Sequence, residues 1–196
     1  DQLGAPPHKV REHVLLYQMG CSRPRLISGH FHYSDAAYRG YHTTYTFITM
    51  IRDPVERWYS HYFYDRDKKG DYFSVEAPID EYLDSPRGQA TGSLIARYFA
   101  GSDCSGDDVV QHAITNIAKF HVVGILEHLG VFKKDLRRVL GADIDIPVRN
   151  AGPTPARQRR KEITPEIHRA VVEACRPDKK VYDYVLHNII GNAQQP

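Results

Sequence analysis

The sequence predicts an α/β fold, a parallel sheet flanked by helices on both sides. Three observations predict it. Short apolar runs of strand character alternate with stretches of helical periodicity, the pattern of a parallel sheet with crossover helices. One handover from strand to helix, over residues 46–60, is marked residue by residue. The chain of 196 residues is 41% apolar, enough for one domain over 1–196 with a sizeable core.

Taken in order, Val10, Val14, Leu15 and Leu16 predict a short helix over residues 8–19. Arg25 to Ser28 predicts a strand ending at Gly29. Residues 33–45 are rich in tyrosine, with Gly40 as a break. A strand over 45–51 is predicted from Ile48, Met50 and Ile51 beside Thr46 and Thr49. Asp53 is a good N-cap, and Pro54 suits the first helical position, where its missing N–H has no partner to lose. Val55, Trp58, Tyr59, Tyr62 and Phe63 then recur as one apolar helix face, predicting a helix from Pro54 to about Arg66.

Short helices are predicted over 79–83, closed by Ser85-Pro86, and over 93–100, stopped by Gly101-Ser102. Asp107 is predicted to cap a helix whose face is Val110, Ala113, Ile114 and Ile117. Residues 120–125 read as a buried strand. Leu129, Phe132, Leu136, Val139 and Leu140 predict a helix that Gly141 ends. Residues 143–148 and the basic segment after them read as irregular. Thr164-Pro165-Glu166 starts a helix with face Ile167, Ala170, Val171 and Ala174. Pro177-Asp178 is predicted to break it before a last helix through Tyr182, Val185 and Ile189. No internal repeat is present.

The strand–cap–helix run places Arg52 at a strand end and Ser60 two turns into the following helix. Open α/β sheets hold phosphates at such places, and a guanidinium with a hydroxyl supplies donors for one. The run Arg52-Asp53-Pro54-Val55-Glu56-Arg57 with Ser60 resembles the 3′-phosphate-binding segment of sulfotransferases that use 3′-phosphoadenosine-5′-phosphosulfate (PAPS). It is most similar to the carbohydrate branch that includes the uronyl and heparan 2-O-sulfotransferases and bacterial relatives. Residues 27–33, 94–101 and 120–127 are similar to other segments of that branch, in the same order. The resemblance spans roughly residues 25 to 185. The family's Pro-Lys-Thr-Gly/Ala-Gly-Thr-type loop, which holds the 5′-phosphosulfate, is not found, so the chain reads as N-terminally incomplete, its first strand and phosphate loop missing.

The resemblance implies a P-loop-NTPase-like sheet and an enzyme that moves a sulfuryl group from PAPS to a hydroxyl acceptor, a saccharide or polysaccharide, leaving 3′,5′-adenosine diphosphate. It implies His30 as the catalytic base, a role that suits an imidazole near neutral pH; His32 is a second candidate. Arg52 and Ser60 would hold the 3′-phosphate. Arg149 and Arg157, in the basic segment that ends at Lys161, would hold the cofactor's phosphates, with Asn150 a weaker choice. Arg57 either touches the nucleotide or pairs with Asp53 or Glu56, and pairing is favoured. Arg97 could touch nucleotide or acceptor. Tyr98 is favoured as core, and Tyr33, Tyr38 and Tyr41 read equally as a saccharide platform or an ordinary aromatic cluster.

Composition narrows the rest. A formal net charge of +2 gives no reason to expect a nucleic-acid partner. Cys21, Cys104 and Cys175 match neither a disulfide framework nor a zinc pattern, and no metal is expected; His30-x-His32 lacks supporting ligands. No apolar run reaches transmembrane length. The cytoplasm is the expected compartment, with the Golgi lumen, and a membrane association, as the alternative if an anchor precedes Asp1. Two rival readings are a phosphoryl-transferring P-loop enzyme and a non-catalytic module for an anionic glycan or nucleotide.

Overall fold

Asp53 Oδ1 accepts hydrogen bonds from the N–H groups of Val55 (2.9 Å) and Glu56 (3.0 Å), and Pro54 takes the first helical position. The helix that follows spans Pro54–Arg66, the length its apolar face predicts. This computed structural model describes residues 7–68, 74–147 and 161–191. The elements, numbered in chain order, are α1 (Pro7–Tyr17), α2 (Asp35–Tyr41), β1 (Ile48–Ile51), α3 (Pro54–Arg66), α4 (Ile79–Asp84), α5 (Pro86–Gly92), α6 (Leu94–Ala100), α7 (Val109–Ile117), β2 (Val122–Ile125), α8 (Leu129–Leu140), α9 (Pro165–Ala174) and α10 (Arg176–Tyr184). Single π-helical turns extend α1 over Gln18–Ser22 and α10 over Val185–Ile190, and a 3₁₀ turn, Leu126–His128, links β2 to α8.

The expected α/β class, a P-loop-NTPase-like sheet flanked by helices, is overturned. Among the described residues the fold is mostly helical, with one sheet of two strands, β1 and β2, parallel and paired from Ile48 opposite Val122 to Ile51 opposite Ile125. Residues 25–28 form no strand; they run as an irregular loop, with Leu26 exposed. A strand exists only where its backbone finds a ladder partner, and no backbone hydrogen bond found among the described residues joins this run to β1. Gly40, expected as a break, lies within α2. Asp108 rather than Asp107 occupies the N-cap of α7, without a side-chain bond.

Two cores hold the elements. Around the sheet, Ile51, Val123 and Ile125 pack with Ile95 and Phe99 of α6, Ile117 of α7, and Val181 of α10. Beneath α3, Trp58, Tyr62 and Phe63 form an aromatic wedge with Tyr82 of α4, Val171 of α9 and Cys175. Trp58 is wholly enclosed, and its indole N–H donates to the Gly88 carbonyl at 2.9 Å. Cys175, at the break between α9 and α10, donates its thiol to the Pro54 carbonyl at 3.5 Å; burial pushes that thiol up to about 12.

Helix α5 fits between α4 and α9 because it presents glycine at both contacts. A Cβ on Gly88 would lie 1.9 Å from the Tyr82 carbonyl oxygen, and one on Gly92 would lie 2.2 Å from that of Ala174. Backbone meets backbone there, so neither contact can yield to a side chain.

A cationic cleft beside the free edge of β1

Strand β2 is buried along its whole length, whereas Ile48 and Met50 of β1 remain 37% and 40% exposed. The open side of β1 faces a cleft of about 1320 Å³. The loop of residues 23–34 and one side of α6, from Leu94 to Phe99, also line it. Its walls are largely apolar and aromatic, including Phe31, Tyr41 and Phe47. Its charged lining is of one sign, Arg23, Arg25, Arg52 and Arg57 with no aspartate or glutamate, and the imidazoles of His30 and His32 stand beside them.

Each arginine comes from a different local cause. Arg23 follows the π turn with φ 46°, a left-handed conformation that costs a non-glycine residue about 1–2 kcal/mol. Its Nε donates back to the Gly20 carbonyl at 3.1 Å, which holds the turn. Arg25 is exposed on the same loop, with no ion pair among the described residues. Arg52 leaves the end of β1. Glu127 Oε1 lies 3.8 Å from its Nε and Glu56 Oε2 3.9 Å from its Nη2, both beyond hydrogen-bond reach.

Arg57 reaches from α3 toward α10 and α5. Its Nη2 donates to Asp178 Oδ2 at 3.1 Å and to the Thr91 carbonyl, and its Nε finds no acceptor. Asp178 is fully enclosed and also accepts from the N–H groups of Ile95 (2.9 Å) and Ala96 (2.7 Å) at the start of α6. Burial raises its carboxyl to about 6, against the opposing pull of Arg57 and the two N–H groups. Arg57 therefore pairs, as favoured, but with a residue far along the chain rather than with Asp53 or Glu56.

The imidazole of His32 is perturbed. Its ring stacks on His8 with centroids 3.7 Å apart and lies 4.5 Å from the Tyr98 ring. Burial, with positive neighbours His8, Arg97 and Arg11, lowers it to about 4. Tyr98, favoured as core, thus forms part of the cleft wall. His30 is exposed in the loop, and its carbonyl accepts from Arg11 at 3.4 Å. Tyr33 and Tyr38 flank the Lys119 ammonium, 5.0 and 5.8 Å from their ring centroids. Arg97 is exposed and donates to the Ala90 carbonyl at 2.5 Å. Ser60 is half-buried on α3 and does not line the cleft with Arg52. Arg149, Asn150 and Arg157 lie outside the described residues.

The expected cofactor finds no seat. The first free N–H groups of α3, where a phosphate would bind, are taken by Asp53, and the Asp53 N–H is taken by Glu127 at 3.2 and 3.3 Å. With Glu56 these make three carboxylates around the strand end, the wrong sign for a phosphate. Among the described residues there is neither a phosphosulfate-binding loop nor a nucleotide-binding sheet to carry PAPS. No cluster of three His, Cys, Asp or Glu able to hold a metal occurs among them either. The sulfotransferase resemblance, the PAPS-dependent enzyme it implies and the phosphoryl-transferring rival are therefore overturned. A membrane association finds no support: no helix among the described residues is long and apolar enough to cross a bilayer.

His8 and Asp178 were not identified from the sequence as site residues, whereas His32 was named as a second candidate for the base. His32 was legible only as the second member of a His-x-His pair; the stack with His8 and the Arg57–Asp178 contact join distant parts of the chain. Comparison of the chain with protein-family models, curated proteins and solved structures finds no match.

Proposed function

We propose that the chain is a binding module whose cleft takes an elongated organic anion with an apolar or aromatic body. The observation that carries this reading is the one-signed lining: four arginines set among apolar walls with no carboxylate in the lining, Arg23 and Arg25 having no ion pair among the described residues. A concave apolar site with a few convergent polar groups is the usual form of a ligand site, and a cleft lined by one sign of charge concentrates ligands of the other. Arg25 is free of ion pairs among the described residues, and Arg23 sits in a strained conformation at the same loop. Strain of that kind gathers where a side chain must be aimed. An anionic saccharide satisfies the charge, but the backbone edge described below favours a peptide. A reducing compartment such as the cytoplasm suits three free cysteines of which Cys21 is exposed.

Calorimetric titration with dansyl-glutamate and with its uncharged diamide tests the reading. The dianion is expected to bind at least tenfold more tightly than the diamide. Arg25→Ala combined with Arg52→Ala should remove most of that difference, since a charge-assisted hydrogen bond contributes about 1.5–3 kcal/mol. Equal binding of the two probes would show that the apolar walls act alone and would overturn the reading.

A further inference from the structure

Strand β1 is an edge left open toward the cleft. The Phe47 carbonyl accepts from the Val122 N–H at 3.3 Å, and the ladder then runs in register to Ile51 opposite Ile125. In a parallel pair alternate residues turn their backbone groups to the partner strand. Thr49 and Ile51 therefore face β2, while Ile48 and Met50 turn their N–H and C=O groups away from it. No partner for these groups is found among the described residues.

Soluble proteins blunt such edges with proline, lysine, bulges or a covering element. The sequence Ile48-Thr49-Met50-Ile51 carries no proline and no charge, and the element beside it is the cleft. Donors and acceptors alternating along one line at strand spacing are complementary to one chemistry, another extended polypeptide. A four-residue strand fills roughly 600 Å³ by its rise, strand spacing and sheet spacing. The cleft, at about 1320 Å³, holds that strand and its side chains.

We infer that the cleft binds an extended acidic peptide, which adds as a strand to the free edge of β1 with apolar side chains at alternate positions and its carboxylates toward the cleft arginines. The inference rests on the anion-binding reading of the same cleft and names the class of anion. The charge decides between occupants. A second copy of this chain would bring a second set of arginines to the same edge, and like charges oppose that pairing. An acidic strand brings carboxylates to Arg23 and Arg25, which have no ion pair among the described residues.

The test uses three acetylated, amidated hexapeptides: alternating Glu-Val, alternating Lys-Val, and Glu-Val with every amide N-methylated. Binding is followed by fluorescence anisotropy of labelled versions, and amide hydrogen exchange is read by NMR. The Glu-Val peptide is expected to bind at least tenfold more tightly than either of the others. It should slow exchange of the Ile48 and Met50 amides at least tenfold, leaving Thr49 and Ile51, already bonded to β2, unchanged. Met50→Pro, which removes one edge donor, should cost the peptide about tenfold.

Equal binding of the N-methylated peptide, or binding without protection of Ile48 and Met50, would overturn strand addition. If dansyl-glutamate binds and the peptide does not, strand addition fails and the anion reading stands. If neither binds, both fail. Protection of both amides without peptide, accompanied by a dimer in sedimentation, would assign the edge to a second copy and overturn the inference.

Discussion

Trp58 on α3 and Met50 on β1 are near neighbours in sequence and lie at opposite extremes of enclosure. The indole has no exposed surface and a bonded N–H; Met50 is 40% exposed, and its backbone finds no partner among the described residues. Around Trp58 the aromatic rings of Tyr59, Tyr62 and Tyr82 lie 5.5–6.0 Å away by centroids, glycines admit backbone to backbone, and charges are paired. Around Met50 the apolar surface is open, and two of the cleft's arginines, Arg23 and Arg25, have no ion pair among the described residues. The difference separates what keeps the chain folded from what the chain offers to other molecules. Stability resides in the wedge beneath α3, and recognition in the cleft.

The largest expected effect belongs to the wedge. Trp58→Ala should cost about 3–5 kcal/mol, read from urea unfolding, because it opens a cavity and strands the Gly88 carbonyl. A cost near 1 kcal/mol would show that the wedge collapses around the loss and would erase the contrast with the cleft. Next, Asp178→Ala should cost about 3–5 kcal/mol, the usual penalty for breaking a buried pair from one side. It strands Arg57 together with two N–H groups of α6, and Asp178→Asn should cost less because the amide oxygen still accepts from α6.

The smallest effect is a pH dependence that sharpens the comparison. His32 is held down to about 4 in the fold and returns to 6.5 when unfolded. Between those values the unfolded chain takes the proton more readily, so stability is lost as pH falls from 6.5 toward 4. His8, also lowered, adds to that slope. Asp178 acts in reverse: raised from 3.8 to about 6, it gains stability as pH falls through that interval. The two nearly oppose each other in the wild type, so the difference from a variant isolates one. Urea midpoints of wild type and His32→Gln should diverge in favour of the variant as pH falls from 6.5 to 4. A difference that stays constant with pH would detach His32 from the acid response of the cleft wall.

Helices with a local signature were legible in the sequence. Asp53-Pro54 and Thr164-Pro165 both mark helix starts where the side chains cap as expected, and Gly141 ends α8 with φ 67°. Helix α5 was missed because Pro86–Gly92 has no apolar period; close approach at Gly88 and Gly92 holds it, and periodicity does not register glycine. The run at 25–28 was misread because strand propensity reports the fit of side chains to a sheet and says nothing of whether a partner strand stands beside it. At the site, Arg52 at the strand end was legible as a candidate. The carboxylates that surround that strand end, Glu127 above all, come from a distant turn that local reading cannot reach.

Cys175 has a chemical consequence of its own. A thiol that stays protonated to about pH 12 and is closed off beneath Pro54 is a poor nucleophile in the native chain, since the thiolate is the reacting form. Alkylating reagents must wait until α9 and α10 part from α3, while the exposed Cys21 reacts without any opening. The two sulfurs make a paired chronometer within one chain: one registers reagent and pH, the other how often the wedge comes apart.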